Sequence, residues 1–321
     1  MGKDFFKVSV CMPTYNYAPF LPGAIESVLN QSMEDFEFIV IDDCSRDNSR
    51  EIVESYARQN PRLAFRINVH NVGLVANWNL CLRAARGTYI KFLFADDLLA
   101  SREALEKMAS MLDSEKGVSL VGSARNVIDS DGNRLKTISH FKGCVIKDGR
   151  SLINRCLREW KNLIGEPSTV MFRRSDALRG FNGTYRHLVD LEMWFHLLEK
   201  GDFAFLDDAL SSFRVHPRQQ TARNIGDLAD LDDAFLLLED YLEKPYVGMR
   251  SLTKRYMYYD KVYQYWKLYK RGRISKQEAV RRIAGRIALM EYAFLFPLYK
   301  TYKPLFKLMT RLRYRGDDAQ R

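Results

Sequence analysis

Short apolar runs and amphipathic segments alternate through the first 130 residues of the chain. Lys7–Met12 and Phe36–Ile41 are β-favouring runs, and a helix fits Pro22–Gln31 between them. Phe36–Ile41 is apolar almost throughout, which is typical of a strand that is buried on both faces. Because strands and helices alternate in this way, the pattern predicts an α/β fold with a mostly parallel sheet.

The same reading predicts further elements along the chain. Further strands are predicted at Leu63–Val69, Tyr89–Phe94, Val118–Asp129, Pro167–Arg173, Phe203–Leu206 and Leu210–Val215. Further helices are predicted at Ser49–Gln59, Leu74–Arg86, Arg102–Ser114, Arg150–Trp160 and Asp190–Lys200. From about Asp227 onward, leucine and aromatic residues recur every three or four positions. We therefore expect a catalytic domain over residues 1–222 and a helical extension over residues 223–321.

The composition indicates a folded protein with reduced cysteines. The chain has 321 residues, 46% of them hydrophobic and 28% charged, as in an ordinary folded protein. Its five cysteines show no metal-binding spacing, and their odd number fits reduced thiols in the cytoplasm. The first predicted strand begins within a few residues of Met1, so no signal peptide is expected.

Polar residues follow several of the predicted strands. Pro13–Asn16 comes after the first strand, Asp42-Asp43 after the second, and Asp96-Asp97 after Tyr89–Phe94. Ligands of open α/β sheets bind at the carboxyl ends of the strands. Carboxylates at this edge suit a polar ligand such as the base and ribose of a nucleoside.

These segments resemble a known family. PTYNYAPFLPGAIESVLNQS followed by IVIDDCSRDNS is similar to the opening of the family 2 glycosyltransferases of the GT-A fold. Later blocks also correspond, so the resemblance covers about two-thirds of the chain. It implies transfer of a sugar from a nucleotide diphosphate, with a UDP-sugar expected, to a saccharide or lipid-linked saccharide, usually with inversion at the anomeric carbon.

For the nucleotide, the resemblance points to the first loop, to the Asp pair after the second strand and to the family's Asn-x-Gly turn. The nucleotide-binding residues that it implies are Pro13, Thr14, Tyr15, Asp42, Asp43, Asn71 and Asp96. An alternative stays open for Asp43, which an Asx turn or a helix cap before Ser49 would also explain.

For the departing diphosphate, the resemblance implies a divalent cation, Mn²⁺ or Mg²⁺, held after the strand YIKFLF. Many relatives read Asp-x-Asp-Asp there, and Phe94 replaces the first aspartate in this chain. Asp97 is favoured as the metal ligand, although either Asp96 or Asp97 fits and a helix N-cap would also explain Asp97.

The later block FRVH resembles the end of the family's catalytic domain. It implies that His216 contributes to the metal site and that Arg214 approaches the diphosphate. A purely structural role for either residue stays open.

For the catalytic base, HLVDLEMWFHLLEKGDF stands where the family carries its acidic motif, and Asp190 matches the residue that deprotonates the acceptor. Relatives commonly place Glu before it, where this chain has Val189. Glu166 and Glu192 are weaker candidates for contact with the acceptor or the phosphate. A helix cap at Asp190 and a surface loop around Glu166 are the alternatives.

The carboxy-terminal part is strongly basic. Residues 250–321 contain 19 Lys/Arg and 5 Asp/Glu, a net charge of +14, which leaves −4 for residues 1–249. Basic residues interleaved with aromatic ones predict peripheral contact of residues 250–315 with an anionic membrane, at the inner face of the plasma membrane. Packing on the catalytic domain is an alternative, and no nucleic-acid recognition motif is present.

Together these features predict an inverting, metal-dependent glycosyltransferase of bacterial surface-polysaccharide synthesis. A non-catalytic nucleotide-sugar binder of the same fold is the competing hypothesis, and the presence of Asp43, Asp97 and Asp190 together argues against it. A phosphate-transferring or nucleotide-hydrolysing α/β enzyme is disfavoured, because the chain has no GxxxxGK[ST] or GxGxxG loop.

Overall fold

The computed structural model describes residues 5–217, 219–284, 286, 297–299, 301–306 and 308–309. Its strands are β1 Val8–Thr14, β2 Phe36–Asp42, β3 Leu63–Ile67, β4 Tyr89–Phe92, β5 Leu98–Leu99, β6 Val118–Ile128, β7 Arg134–Ile138, β8 Val145–Lys147, β9 Val170–Arg173 and β10 Asp202–Arg214. Its helices are α1 Leu21–Leu29, α2 Ser49–Gln59, α3 Leu74–Ala84, α4 Ala104–Ser114, α5 Gly149–Glu159, α6 Val189–Leu198, α7 Gln220–Gly226, α8 Ala229–Tyr241, α9 Ser251–Lys270 and α10 Lys276–Ile283. Short 3-10 turns cover Pro167–Thr169 and Arg174–Ala177.

The strands form one mixed sheet in the order β3-β2-β1-β4-β9-β6-β10-β5, with β7 beside β6 and β8 beside β10. The first four strands pair in parallel, as do β6 and β10, the two longest. Strand β9 joins these two groups through antiparallel pairing with β4 and β6. The predicted α/β fold with its helical carboxy-terminal region is thereby confirmed.

The central strands are buried on both faces, as their composition predicts. Every residue of β1 and β2 is buried, including the carboxylate of Glu37. Ser9 donates its hydroxyl hydrogen to Glu37 at 2.6 Å, and Arg86 donates Nε and Nη2 to the same carboxylate at 3.0 and 2.8 Å. A buried charge is tolerated when it is paired and hydrogen-bonded in this way.

Three details of the predicted strands are wrong. The predicted strand Pro167–Arg173 begins only at Val170, because Pro167–Thr169 forms a 3-10 turn. Phe203–Leu206 and Leu210–Val215 are parts of the single strand β10, whose pairing with β6 shifts register between Leu206 and Ser211. The polar residues Asp207 and Asp208 fall at this irregularity, and they made the strand look interrupted. Strands β5, β7 and β8 were not predicted, because they are short or exposed and lack a buried face.

The chain divides into two compact units. The first comprises Met1–Ile153, Asn162–Thr184 and Val189–Gln219, and it contains the whole sheet. The second comprises Asn154–Lys161, Tyr185–Leu188 and Gln220–Arg321. The predicted catalytic boundary at residue 222 stays a prediction, although the last change of unit falls close to it.

The second unit has its own aromatic-rich core. Its buried members are Leu231, Phe235, Tyr256, Tyr259, Val262, Tyr265, Ile283 and Tyr299. Lys261 is buried there too, with its Nζ 3.5 Å from the centre of the Trp160 ring. The predicted membrane segment 250–315 extends beyond the described residues, and none of the described helices is long and apolar enough to cross a membrane.

Candidate active site

The carboxyl ends of β1 and β2 bring the first two predicted segments together. Thr14 lies beside Asp42 in the parallel register, and the Asp43 N–H donates to the Thr14 carbonyl at 2.9 Å. Pro13 and Thr14 are buried, and Tyr15 is half-buried just beyond the strand. The edge that was predicted to hold the nucleotide is therefore formed by residues from both loops.

Hydrogen bonds fix these two loops against each other. Asn16 adopts a left-handed conformation with φ of 59°, and its Oδ1 accepts from the Arg46 N–H at 2.8 Å. The Asn16 N–H donates to Ser45 Oγ, also at 2.8 Å. Asparagine tolerates a positive φ better than most residues, so Asn16 suits this position.

Asp42 and Asp43 bind different loops. Asp42 accepts from the Ser45 N–H at 2.9 Å and from the Ser45 hydroxyl, while burial raises the pKa of Asp42. Asp43 accepts from the N–H groups of Val72 and Gly73 at 2.8 and 2.9 Å, just before α3 begins. Asp43 therefore holds the Asn-x-Gly turn and does not cap α2.

Asn71 is exposed at this turn, and its Nδ2 donates to the Asp43 carbonyl at 3.1 Å. Gly73 has a φ of 88°, a conformation that side chains disfavour. The structure thus brings Asn71 to the same edge as Asp42 and Asp43.

Asp96 and His216 form a close pair beside the end of β4. Asp96 Oδ2 lies 3.1 Å from His216 Nε2, and both side chains are largely buried. The His216 ring packs near Phe20, with ring centres 4.7 Å apart. Since these residues are 120 positions apart in sequence, only the fold reveals the contact.

Asp97 points inward, in contrast to its neighbour. Its Oδ1 accepts from the Arg214 N–H at 2.8 Å, and its Oδ2 is buried without a hydrogen bond from any described residue. Burial and then the charge of Asp96 raise the pKa of Asp97 well above its usual range. Asp97 does not cap α4, which begins at Ala104.

The guanidinium of Arg214 holds two loops together. Nε donates to the Asp96 carbonyl at 2.7 Å, and Nη1 donates to the carbonyls of Asp129 and Ser130 at 3.0 Å. The guanidinium carbon also lies 5.0 Å from the centre of the Phe20 ring. These contacts give Arg214 a positioning role, and the predicted contact with phosphate stays a prediction.

Asp190 lies in the first turn of α6 and is half-buried. Its Oδ1 accepts from the N–H of the next residue, Leu191, at 2.8 Å. Burial is the main reason that the pKa of Asp190 rises to about 7, and the charge of Glu166 adds to the rise. A carboxyl group with this pKa can take up a proton near neutral pH.

Glu166 and Glu192 are both engaged in ion pairs. Glu166 lies 2.6 Å from Arg125 Nε and accepts from its Nη2 at 2.9 Å. The buried Glu192 accepts from Arg179 Nη1 and Nη2 at 2.8 and 2.7 Å. The bidentate contact with Arg179 gives Glu192 a structural role at α6, and its predicted contact with the acceptor or the phosphate stays a prediction.

Lys91 is a buried residue near this site that the sequence reading missed. Its Nζ donates to the Ser168 carbonyl, and Ser168 Oγ accepts from the Phe94 N–H at 3.0 Å. Burial lowers the pKa of Lys91 to about 7, while the charge of Asp97 opposes the shift. A lysine within the apolar run YIKFLF was the available signal.

Few side chains at this site could ligate a metal ion. The described residues contain no group of three or more His, Cys, Asp and Glu side chains that could hold an ion. Asp96 and His216 offer two donors, and Mg²⁺ in particular often takes one or two carboxylates and completes its shell with phosphates and water. This set fits a cation that binds together with a diphosphate.

Comparisons with known proteins show the family of this chain. The family described as Glycosyl transferase family 2 matches residues 9–180. An uncharacterized protein of Mycobacterium tuberculosis is 32% identical over 67% of this chain and 69% of its own length. The putative teichuronic acid biosynthesis glycosyltransferase TuaG of Bacillus subtilis is 28% identical over 65% of this chain and 79% of its own.

A similar fold occurs in a solved structure, that of S. aureus TarS residues 1–349 in complex with UDP-GlcNAc. The TM-score is 0.65 at 18% identity, with 98% of this chain and 93% of that chain covered. The family match and the fold thus define a GT-A glycosyltransferase. The chain belongs to glycosyl transferase family 2 and is a glycosyltransferase.

Proposed function

We propose that this enzyme transfers a sugar from a UDP-sugar to a saccharide or lipid-linked saccharide with inversion at the anomeric carbon. One observation carries the proposal. Glu166 adds to the rise in the pKa of both Asp97 and Asp190, after the larger effect of burial, so these three carboxyl groups lie within electrostatic reach. This proximity supports the proposal that the base and the carboxyl groups beside the diphosphate act in one site.

The nucleotide is held at the edge formed by β1 and β2. Pro13, Thr14 and Tyr15 form one side of the site, and the loops fixed by Asp42 and Asp43 form the other. The TarS structure in complex with UDP-GlcNAc supports a uridine nucleotide as the donor's leaving group. The carboxylates of Asp42 and Asp43 already accept backbone hydrogen bonds, and these bonds fix the orientation of both side chains.

A divalent cation, Mn²⁺ or Mg²⁺, is held by Asp96 and His216. Asp96 replaces Asp97 as the favoured ligand, because the Asp97 carboxylate is buried and accepts from the Arg214 N–H. When bound, such an ion neutralises charge on the leaving diphosphate.

Asp190 acts as the general base. In its ionised form it accepts the proton of the acceptor hydroxyl while that oxygen forms the new bond to the anomeric carbon. The bond from this carbon to the diphosphate oxygen breaks, and the nucleotide leaves with the electron pair. Attack from the face opposite the leaving group gives the inverted product.

The acceptor belongs to a bacterial surface polysaccharide. Similarity to TuaG, whose name refers to teichuronic acid biosynthesis, supports this setting. The net charge of +14 over residues 250–321 supports peripheral contact of this part of the chain with the cytoplasmic face of the plasma membrane. A lipid-linked acceptor would be presented at that surface.

Nucleotide release from a panel of UDP-, dTDP- and GDP-sugars tests the proposal, with Mn²⁺ present and again with EDTA. The expected result is release of UDP from one UDP-sugar and its loss in EDTA. Nucleotide release that persists unchanged in EDTA would contradict the proposed metal requirement. A preference for a GDP-sugar would contradict the proposed donor class.

A further inference from the structure

The turn between α9 and α10 carries a dense cluster of exposed cations. The cationic members of this segment, here called the basic turn, are Lys267, Lys270, Arg271, Arg273 and Lys276. All five side chains are exposed. The sequence has no Asp or Glu between Asp260 and Glu278, so no acidic residue within the segment offsets their charge.

The other cations of this helical unit behave differently. Within the described residues, the ion pairs of this unit include those of Arg155, Arg186, Lys254, Lys261, Arg281, Arg282, Arg286 and Lys303. None of the five cations of the basic turn takes part in them. The unit thus pairs its charges along the helices and leaves those of the turn to the solvent.

Helix stability explains only part of this cluster. Lys267 and Lys270 lie in the last turn of α9, where a cation interacts favourably with the helix dipole. Lys276, however, is the first residue of α10, where the dipole disfavours a positive charge. Arg271 and Arg273 lie between the two helices, where they are exposed and make no ion pair with a described residue.

Aromatic residues lie beside these cations. Tyr269 is 37% exposed, and Trp266 is half-buried with its ring centre 5.9 Å from that of Tyr269. Tyrosine and tryptophan are enriched at membrane interfaces, where an apolar ring meets a wet edge. The basic turn therefore combines charge with a side chain that can enter the headgroup region.

The basic turn is held by a well-defined backbone. Gly272 adopts a φ of 66°, and Ser275 Oγ accepts from the Glu278 N–H at 3.0 Å as the cap of α10. Further back, Tyr265 donates to Asp232 at 2.6 Å, and Arg282 pairs with the same carboxylate. Helices α8, α9 and α10 are thus tied together, and the cations have a fixed base.

We propose that the basic turn docks the enzyme on an anionic phospholipid bilayer, with Tyr269 and Trp266 at the headgroup level. The biological purpose of this docking rests on the proposed lipid-linked acceptor. Its physical basis is the exposed charge of the basic turn and does not depend on that acceptor. Exposed cations without an ion pair to a described residue suit an anionic surface. Nucleic acid is the less favoured partner, because the sequence contains no nucleic-acid recognition motif.

Flotation of the full-length protein with vesicles tests this proposal. The vesicles contain phosphatidylcholine alone or an equimolar mixture with phosphatidylglycerol. We compare the wild type with a variant carrying Lys270→Gln, Arg271→Gln and Arg273→Gln. The matched control carries Arg58→Gln, Arg66→Gln and Arg83→Gln, which removes the same charge from exposed positions of the other unit.

The expected result is binding to the anionic vesicles only, weakened on the order of 100-fold in the turn variant, since each cation near such a surface adds about one kcal/mol. The control variant should bind like the wild type, and added salt should release both. Equal losses in the two variants, or equal binding to both vesicles, would overturn the proposal. So would binding of a DNA duplex without binding of the vesicles.

Nucleotide release with a soluble donor keeps this test separate from the proposed function. The turn variant should release nucleotide at the wild-type rate, because none of its three positions belongs to the active site. A wild type that binds vesicles but releases no nucleotide would refute the enzyme mechanism alone. A wild type that releases nucleotide but binds no vesicles would refute the docking alone.

Discussion

The carboxyl group of Asp190 shows how its surroundings prepare one residue for chemistry. An aspartate in water has a pKa near 4, which makes it a weak base. Here burial and the nearby charge of Glu166 raise the pKa to about 7. The higher pKa makes proton uptake more favourable while a substantial fraction of the group stays ionised near neutral pH.

This environment predicts the pH dependence of the reaction. Only the ionised form of Asp190 can accept a proton, so kcat/KM should be low under acidic conditions and rise to a plateau as the pH increases through about 7. A profile of kcat/KM against pH provides the measurement.

The variant Glu166→Gln removes one cause of the raised pKa, so its acidic limb should move to lower pH. The variant Asp131→Asn serves as a control, because it changes an exposed carboxylate in a turn. A limb near pH 4 in the wild type, or no movement with Glu166→Gln, would contradict the assignment.

The Asp96–His216 pair leads to a prediction about the metal. Asp96→Asn and His216→Ala should each raise the Mn²⁺ concentration for half-maximal activity by about 10-fold or more, because even outer-shell changes cost that much. Titration of activity with Mn²⁺ provides the measurement, and His70→Ala at an exposed position is the control.

Two outcomes of that titration would contradict the pair as ligands. One is an unchanged Mn²⁺ requirement in both variants. The other is a requirement that rises only in Asp97→Asn, which would restore the interpretation that the sequence favoured at first.

Elements that the sequence predicts well are those with a strong burial pattern. The strands β1, β2 and β4 are largely apolar, and Pro13, Asp43 and Asp96 lie at or just beyond their carboxyl ends, at the expected edge. Helices α1 to α4 were located to within a few residues for the same reason.

What the sequence could not predict depends on contacts between distant elements. The pairing of Asp96 with His216 joins the end of β4 to the segment after β10, and Arg179, in the loop before α6, pairs with Glu192 of that helix. Strand β10 has irregular pairing that no period-two pattern reveals. The direction in which Asp97 points is also set by the Arg214 N–H and not by its own neighbours.

The loops at the ends of β4 and β6 depend on Arg214 for their position. Arg214→Ala should lower the free energy of unfolding by about 2 kcal/mol, because it leaves the buried Asp96 carbonyl without its donor and also removes the hydrogen bond to the Asp129 carbonyl. It should also weaken Mn²⁺ binding, because Asp96 loses its support. Thermal unfolding and metal titration together provide the measurement.

Arg214→Lys should restore little of either property, since lysine cannot reach several carbonyls with a planar fork. Arg66→Ala, at an exposed position of β3, is the control and should change neither quantity. Wild-type stability together with wild-type metal binding in Arg214→Ala would contradict the positioning role.

The whole chain combines two units whose composition differs. The first contains the sheet and all the predicted site residues, while the second is helical, aromatic and strongly basic. The sequence revealed this difference in charge and periodicity. It did not reveal that Asn154–Lys161 and Tyr185–Leu188 belong to the second unit, because that depends on tertiary contacts such as Lys261 with Trp160.

The most direct test compares Asp190→Asn with the wild type in donor binding and in sugar transfer. The change keeps the size of the side chain but removes its basicity, so transfer should fall by about 100-fold or more while the Kd for the donor stays unchanged. Asp131→Asn is the matched control and should transfer sugar at the wild-type rate. Full turnover by Asp190→Asn would contradict the assigned base and, with it, the mechanism proposed for this enzyme.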